Sequence, residues 1–150
     1  FYVNKYKHLN KEQIRKLSDS NWEIASHGLS HRSFLSMDIN QAKHEIEESK
    51  KILEDITGKK IFSIAPPFSA INQVIYDLCK EVGYENIYIQ KELPLTTSKD
   101  LNIYQRRNIY SIDNNHNIIK KINSSYMEDK KQNLISSFNN LTVFFSKYFR

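Results

Sequence analysis

Short apolar runs alternate with segments of helical periodicity along the first two thirds of this chain. The runs fall at residues 1–3, 22–25, 61–64 and 86–90, and within 102–111. Strands separated by helices pair in parallel through right-handed crossovers. The alternation therefore predicts an α/β fold with parallel strands and outer helices.

Capping residues mark the helices between these runs. Asn10 is placed to begin a helix that runs through Leu17, and Asp38 to begin the longest helix, which ends at Gly58. A third helix spans 71–82 and stops at Gly83. Helical spacing predicts that these helices turn inward the residues Ile14, Leu17, Ile39, Ala42, Ile46, Leu53, Ile56, Val74, Ile75, Leu78 and Val82. Residues 91–100, with Pro94, are expected to form a loop.

Composition excludes several classes of protein. At 150 residues with 39% hydrophobic content, 3 Gly and 3 Pro, the chain is expected to fold as one domain. The net charge is +5, but the lysines are scattered, so we expect no nucleic-acid partner. No stretch approaches the ~18 apolar residues of a membrane helix. The single Cys79 excludes an internal disulfide and is read as a small buried hydrophobe.

Two histidines four residues apart follow the run at 22–25. His27 and His31 lie in S-H-G-L-S-H, at the carboxyl end of a predicted strand, where α/β folds keep their chemistry. Two imidazoles at this spacing can face one metal ion. The pair alone is a weak signal, and two hydrogen-bonded loop histidines remain the alternative. His44 falls on the charged side of the long helix and is read as solvated surface.

These motifs occur in an order that resembles the polysaccharide deacetylase family, the NodB-homology domain of carbohydrate esterase family four. Four features resemble that family's pattern, in the same order along the chain. They are the S-H-x-x-x-H motif, the long helix with its Gly58 stop, the strand ending in A-P-P-F at 65–68, and V-G-Y at 82–84. The resemblance covers about residues 1–112. It implies an incomplete (β/α) barrel of the polysaccharide deacetylase type, with a helical C-terminal tail.

The resemblance also implies an activity. It is the hydrolysis of N-acetyl groups on a glycan partner, either peptidoglycan or another N-acetylglucosamine polymer. His27 and His31 would hold a divalent metal, with zinc expected. Such a metal lowers the pKa of its bound water and polarises the amide carbonyl, while a carboxylate takes the proton.

Further site residues come from the same resemblance. Pro67 and Phe68 would contact substrate, and the Phe68 backbone N–H would help to hold the oxyanion. The alternative is that the prolines merely end a strand. Many relatives carry an arginine where this chain has Ala65, and Arg106 or Arg107 would replace it and orient the base. The alternative is that the two arginines are a surface pair. His116 would act as the acid, or would be a loop histidine.

The chain also departs from the family. The first family motif carries two aspartates, a catalytic base and a metal ligand, and residues 1–3 resemble the strand after it. Neither Asp19 nor Asp38 is nominated as the base. We therefore expect turnover to be impaired. The alternative is an inactive deacetylase-fold remnant that acts as a glycan-binding or protein-interaction module.

The last segment has a different pattern. Residues 1–112 are assigned to the barrel portion and 113–150 to a helical segment packed on the same domain. Self-association through an exposed strand edge or the aromatic tail is a further expectation. The compartment is unknown, and only the family suggests the cell envelope.

One tail helix is predicted from the spacing of Ile118, Ile119 and Ile122. A second helix is predicted from an apolar, largely aromatic stripe, and the alternative is a strand at 141–145. The residues of this stripe are Leu134, Phe138, Leu141, Phe145 and Phe149.

Overall fold

The computed structural model describes residues 8–90, 100–109, 113–123 and 130. The predicted strand at 1–3, most of the predicted loop at 91–100 and the aromatic stripe of the tail lie outside these residues. The described elements are α1 (Lys11–Asp19), α2 (Ile39–Thr57), β1 (Ser63–Ile64), α3 (Gln73–Glu81), β2 (Asn86–Ile89), β3 (Asn102–Gln105) and α4 (Asn115–Ile122), with short 3₁₀ turns at Phe34–Ser36 and Pro67–Ser69.

The three strands form one parallel sheet in the order β1-β2-β3. Ser63 aligns with Asn86, and Asn86 with Asn102, so the strands start in register. Helix α3 connects β1 to β2, which is the crossover that parallel pairing requires. The predicted α/β fold with an incomplete, unclosed barrel is confirmed.

The prediction of a full strand at 22–25 is wrong. Only Ser26 joins the sheet, through a parallel bridge beside β1: its N–H donates to Ser63 O at 2.9 Å, and its carbonyl accepts from Ala65 N at 2.8 Å. The run looked like a strand because it is apolar, but Trp22 is 69% exposed and only Ile24 packs on the core. The bridge still places His27 directly after a sheet position.

The predicted helix caps are confirmed. Asn10 forms a reciprocal capping box with Gln13, and the Asp38 side chain accepts from Gln41 N at 2.9 Å. Gly58 ends α2 in the left-handed conformation, at φ 68°. Helix α3 begins at Gln73 rather than at residue 71, because the Asn72 side chain accepts from Ile75 N and so fixes the start.

The inward faces follow the prediction except at the starts of two helices. Ala42 and Ile46 are buried, whereas Ile39 is 57% exposed and Val74 is 47% exposed. Both exceptions lie in the first turn of a helix. Side chains tilt toward the helix amino terminus, so first-turn residues extend past the body of the helix. Periodicity alone therefore assigned them to the wrong environment.

The hydrophobic core lies between the sheet and helices α2 and α3. Cys79 is 0% exposed there, which confirms the prediction of a small buried hydrophobe, and burial raises the pKa of its thiol to about 12. The largest buried side chains of this core include Phe34, Ile46, Ile64, Tyr76, Tyr84, Ile87 and Ile89. Among the described residues, no helix is both long and apolar enough to cross a membrane.

Helix α4 carries the predicted isoleucines, with Ile119 and Ile122 exposed. It is tied to the segment after β3 by Lys121, which donates to Asn108 O at 2.8 Å and to Asp113 Oδ2 at 2.5 Å. The predicted domain boundary and self-association stay predictions. Gel filtration over a range of protein concentrations tests the latter: a concentration-dependent elution volume is expected, and an unchanging monomer contradicts it.

Candidate metal and active site

The carboxyl ends of the parallel segments meet at one edge of the sheet. His27 follows the Ser26 bridge, Ala65 follows β1, Gln90 follows β2 and Arg106 follows β3. Parallel strands in register bring the residues after them together. The predicted site therefore lies at the edge where α/β proteins commonly bind ligands.

His27 has a defined protonation pattern. Its Nδ1 is hydrogen-bonded to the Ala65 carbonyl oxygen. A carbonyl only accepts, so Nδ1 carries the proton and Nε2 keeps its lone pair. Burial lowers the pKa of His27, and the neighbouring His31 and Arg106 lower it further, against the effect of the Ala65 hydrogen bond. The neutral ring with a free Nε2 is the form that binds metals.

His31 lies beside His27 on the solvent side. The two ring centroids are 4.9 Å apart, with an interplanar angle of 59°. His31 is exposed, and its backbone has φ 56°, in the left-handed region that side-chain-bearing residues rarely adopt. The rings of His31 and Phe68 pack edge to face, with their centroids 5.2 Å apart.

Gly28 allows the loop between the histidines to approach the core. Its φ is 77°, and a Cβ at this position would lie 3.1 Å from Phe34 Cε1 and 3.5 Å from Glu45 Oε2. Its N–H donates to Ser26 Oγ at 3.2 Å. Only glycine accommodates both the backbone conformation and the close packing here.

Glu45 on α2 binds the same loop and was missed by the sequence analysis. Its Oε2 accepts from Leu29 N at 2.8 Å and from Ser30 N at 2.9 Å, and its Oε1 accepts from Ser30 Oγ at 2.5 Å. Burial raises the pKa of this carboxyl, but the Ser30 and Leu29 hydrogen bonds outweigh it, and the net pKa is lowered. A signal was available, since Glu45 falls on the apolar face of α2, three residues after Ala42.

The turn after β1 presents Phe68. This residue has φ 58° and ψ 12°, and Ser69 follows with φ 52°. The turn is secured by a 3.1 Å hydrogen bond from Gln90 N to Ser69 Oγ. Phe68 is 37% exposed, whereas the preceding Pro67 is fully buried. The predicted substrate contacts of Pro67 and Phe68 and the oxyanion role of Phe68 stay predictions.

The two candidate arginines have different neighbours. Arg106 is half-buried and close enough to His27 to lower the pKa of that ring, and its Nε finds no hydrogen-bond acceptor among the described residues. Arg107 donates to the Lys121 carbonyl oxygen on α4. His116 is exposed in the first turn of α4. Arg106 therefore acts electrostatically on His27, and the predicted roles of Arg106, Arg107 and His116 stay predictions.

The donor set of the site is incomplete within the described residues. Across 8–90, 100–109 and 113–123, no three His, Cys, Asp or Glu side chains converge as metal ligands. His27 and His31 supply two nitrogen donors of the kind that zinc binds, where a catalytic zinc has three protein ligands. The pair fits a divalent metal provided that a third ligand comes from outside these residues.

Fold and site together define an α/β protein with a histidine pair at the carboxyl edge of a partial barrel. The polysaccharide deacetylase family model matches residues 1–87, more than half of the chain. This chain belongs to the polysaccharide deacetylase family, as its motifs predicted.

Solved structures show the same fold. A candidate polysaccharide deacetylase from Bacillus anthracis matches with a TM-score of 0.63 and 22% identity, and a polysaccharide deacetylase from Bacillus cereus with 0.62 and 23%. Each alignment covers 81% of this chain and 39% of the other. The chain thus spans well under half the length of these relatives. A search of curated proteins gives no match.

Proposed function

We propose that this chain contributes the metal-binding part of a polysaccharide N-deacetylase that removes acetyl groups from N-acetylglucosamine-containing glycans. One observation carries the proposal: the Nδ1–H of His27 is committed to the Ala65 carbonyl, which leaves Nε2 available beside His31. Family membership supports the deacetylase-like role. The metal, expected to be zinc, and the glycan are the proposed elements.

The chemistry explains why a histidine pair suits this reaction. An amide carbonyl is a poor electrophile, and water at neutral pH is a poor nucleophile. A divalent metal, when bound, would supply both an activated water and a polarised carbonyl. His27 and His31 would hold it as neutral ligands, and the burial that lowers the pKa of His27 favours that state.

Other residues of the edge would orient the substrate. Phe68 sits against His31 and is partly exposed, so a sugar acetamide approaching the histidines would meet its ring and backbone. Its N–H is the proposed oxyanion donor. The half-buried Arg106 has an Nε without an acceptor in the part of the chain that the structure describes, and we assign to this arginine the orientation of the carboxylate base. The net charge of +5 suits an anionic cell-wall polymer.

We assign the base to a carboxylate outside the described residues. Within them no carboxylate joins the histidine pair as a ligand. The family resemblance assigns both the base and a third metal ligand to aspartates of its first motif. Deacetylation by the protein therefore depends on such a carboxylate reaching the site.

A second candidate function is favoured by the same incomplete donor set. Without a base, the chain would be an inactive member of the fold that binds a glycan or another protein. The two candidates differ in turnover, because only the first releases acetate.

The experiment compares acetate release from N-acetylglucosamine oligomers, with zinc added, for three proteins. These are the unmodified chain, the double variant His27→Ala/His31→Ala, and the control His44→Ala. The control removes an exposed imidazole from the charged side of α2. Mass spectrometry of the oligomers identifies the lost acetyl groups.

Acetate release by the chain and by His44→Ala, but not by the double variant, is the result expected for a deacetylase. No acetate release by any of the three proteins contradicts the catalytic proposal and favours the second candidate. Equal acetate release by the double variant contradicts the assignment of the site.

A further inference from the structure

The loop that carries both histidines is held by one helix at two points. Glu45 accepts three hydrogen bonds from Leu29 and Ser30, which lie between the histidines. One turn further along α2, Ser49 Oγ is 2.7 Å from Ser26 Oγ, the residue before His27. Helix α2 thus supports both the start and the middle of the loop.

The loop needs such support because of its conformation. Gly28 and His31 both have positive φ values, 77° and 56°. A left-handed residue with a side chain is maintained only where its surroundings determine it. His31 is itself exposed, and its ring contacts are with His27 and Phe68 at the sheet edge. Glu45 is only 8% exposed, and its carboxylate accepts hydrogen bonds from Leu29 and Ser30, the two residues before His31.

Resting on the proposed function, we propose that Glu45 is a positioning residue that fixes the two imidazoles in a metal-binding arrangement. It does this through the amides of Leu29 and Ser30 and the Ser30 hydroxyl, and it binds no metal itself. Ligands that are held in place before binding lose less freedom when the metal arrives. Residues that orient metal ligands in this way commonly change metal affinity about 10–100-fold when they are replaced.

The substitution Glu45→Gln tests this role with a nearly unchanged side-chain shape. The amide retains one oxygen, so it cannot accept all three hydrogen bonds, and the negative charge is lost. The matched control is Glu47→Gln on the same helix, where the exposed carboxylate lies 3.7 Å from Lys43 Nζ. Ser30→Ala, which removes just one of the three hydrogen bonds, is a milder second variant.

Two measurements are made on each folded protein. Zinc affinity is determined by competition with a chromophoric chelator, and amide hydrogen exchange at Leu29 and Ser30 is followed without metal. For Glu45→Gln we expect zinc binding about 10–100-fold weaker and faster exchange at both amides. Ser30→Ala should weaken zinc binding severalfold, and Glu47→Gln should change neither quantity. A purely structural role would lower stability without changing the zinc affinity of the folded protein.

Equal zinc affinity for Glu45→Gln, Glu47→Gln and the unmodified chain overturns the inference while leaving the metal site intact. If Glu45→Gln does not fold, Ser30→Ala decides, and unchanged zinc affinity in that variant overturns the inference. An absence of zinc binding in the unmodified chain instead contradicts the proposed function, and the positioning role fails with it.

Discussion

At the scale of single residues, the site depends on a loop that several hydrogen bonds hold in place. The Gly28 N–H donates to the Ser26 hydroxyl, and the Leu29 and Ser30 amides donate to the Glu45 carboxylate. The His27 Nδ1–H donates to the Ala65 carbonyl. Each bond leaves less freedom for the next residue. The geometry of two ring nitrogens is therefore determined by neighbours that would never touch a metal.

The substitution Gly28→Ala is expected to destabilise the protein by about 2 kcal/mol or more. A Cβ there must adopt a left-handed backbone and also press on the Phe34 ring at 3.1 Å. The control is Gly58→Ala, which has a similar φ of 68° but no atom within 4 Å of the added Cβ, and should cost only about 1 kcal/mol. Urea unfolding of both variants measures the difference. Equal costs would contradict the packing argument.

The Glu45 carboxyl predicts a pH-dependent contribution to stability. Its folded-state pKa is lowered from 4.5, so the ionised form is favoured by folding. The stabilisation is complete above the unfolded pKa and is lost as the pH falls through the lower folded value. The unmodified chain should exceed Glu45→Gln in stability at pH 7, and the gap should narrow in acid below about pH 4.5. Denaturant unfolding across pH checks this, and a constant gap would refute it.

At the scale of elements, helix α2 links the cap, the core and the site. Its start is set by Asp38 and its end by Gly58, and its buried face carries both apolar residues and Glu45. A substitution that weakens the amino-terminal cap of α2 therefore weakens the helix that supports the histidine loop.

Replacing Asp38 with alanine should cost about 1 kcal/mol, because the Gln41 amide loses its 2.9 Å acceptor at the first turn of α2. Asp55→Ala is the control, as an exposed acidic residue near the helix carboxyl end, where removal of negative charge is neutral or slightly favourable. Thermal unfolding of both variants provides the measurement. A loss for Asp55→Ala as large as that for Asp38→Ala would contradict the capping account.

Local chemistry made much of this fold predictable from sequence. Asn10, Asp38 and Gly58 were identified because capping depends on the residue itself and its immediate neighbours. The strand at 22–25 failed because strand pairing depends on distant partners, and only Ser26 found one among the described residues. Glu45 was missed for the same reason, since its partners lie 15 and 16 residues away in sequence.

At the scale of the whole molecule, the described residues form a partial barrel around one core. His27, His31, Phe68 and Arg106 lie at the carboxyl edge of the sheet, and Lys121 ties α4 to the segment after β3. The site thus depends on the fold being intact, because its residues follow three different segments of the sheet.

Cys79 provides a probe of that intact fold. Its thiol is fully buried with a pKa raised to about 12, so the reactive thiolate is scarce and inaccessible in the native state. A thiol-specific reagent at neutral pH should label the native protein only as fast as the core opens, and label it at once in urea. Rapid labelling under native conditions would contradict the packing of α3 against the sheet.

The most direct test of the central claim is zinc content and affinity of the purified chain, measured beside His27→Ala/His31→Ala and the His44→Ala control. We expect near-stoichiometric zinc in the chain and in His44→Ala, and its loss in the double variant. Absence of zinc from the unmodified chain, or equal zinc in the double variant, would contradict the assignment of His27 and His31 as a metal site.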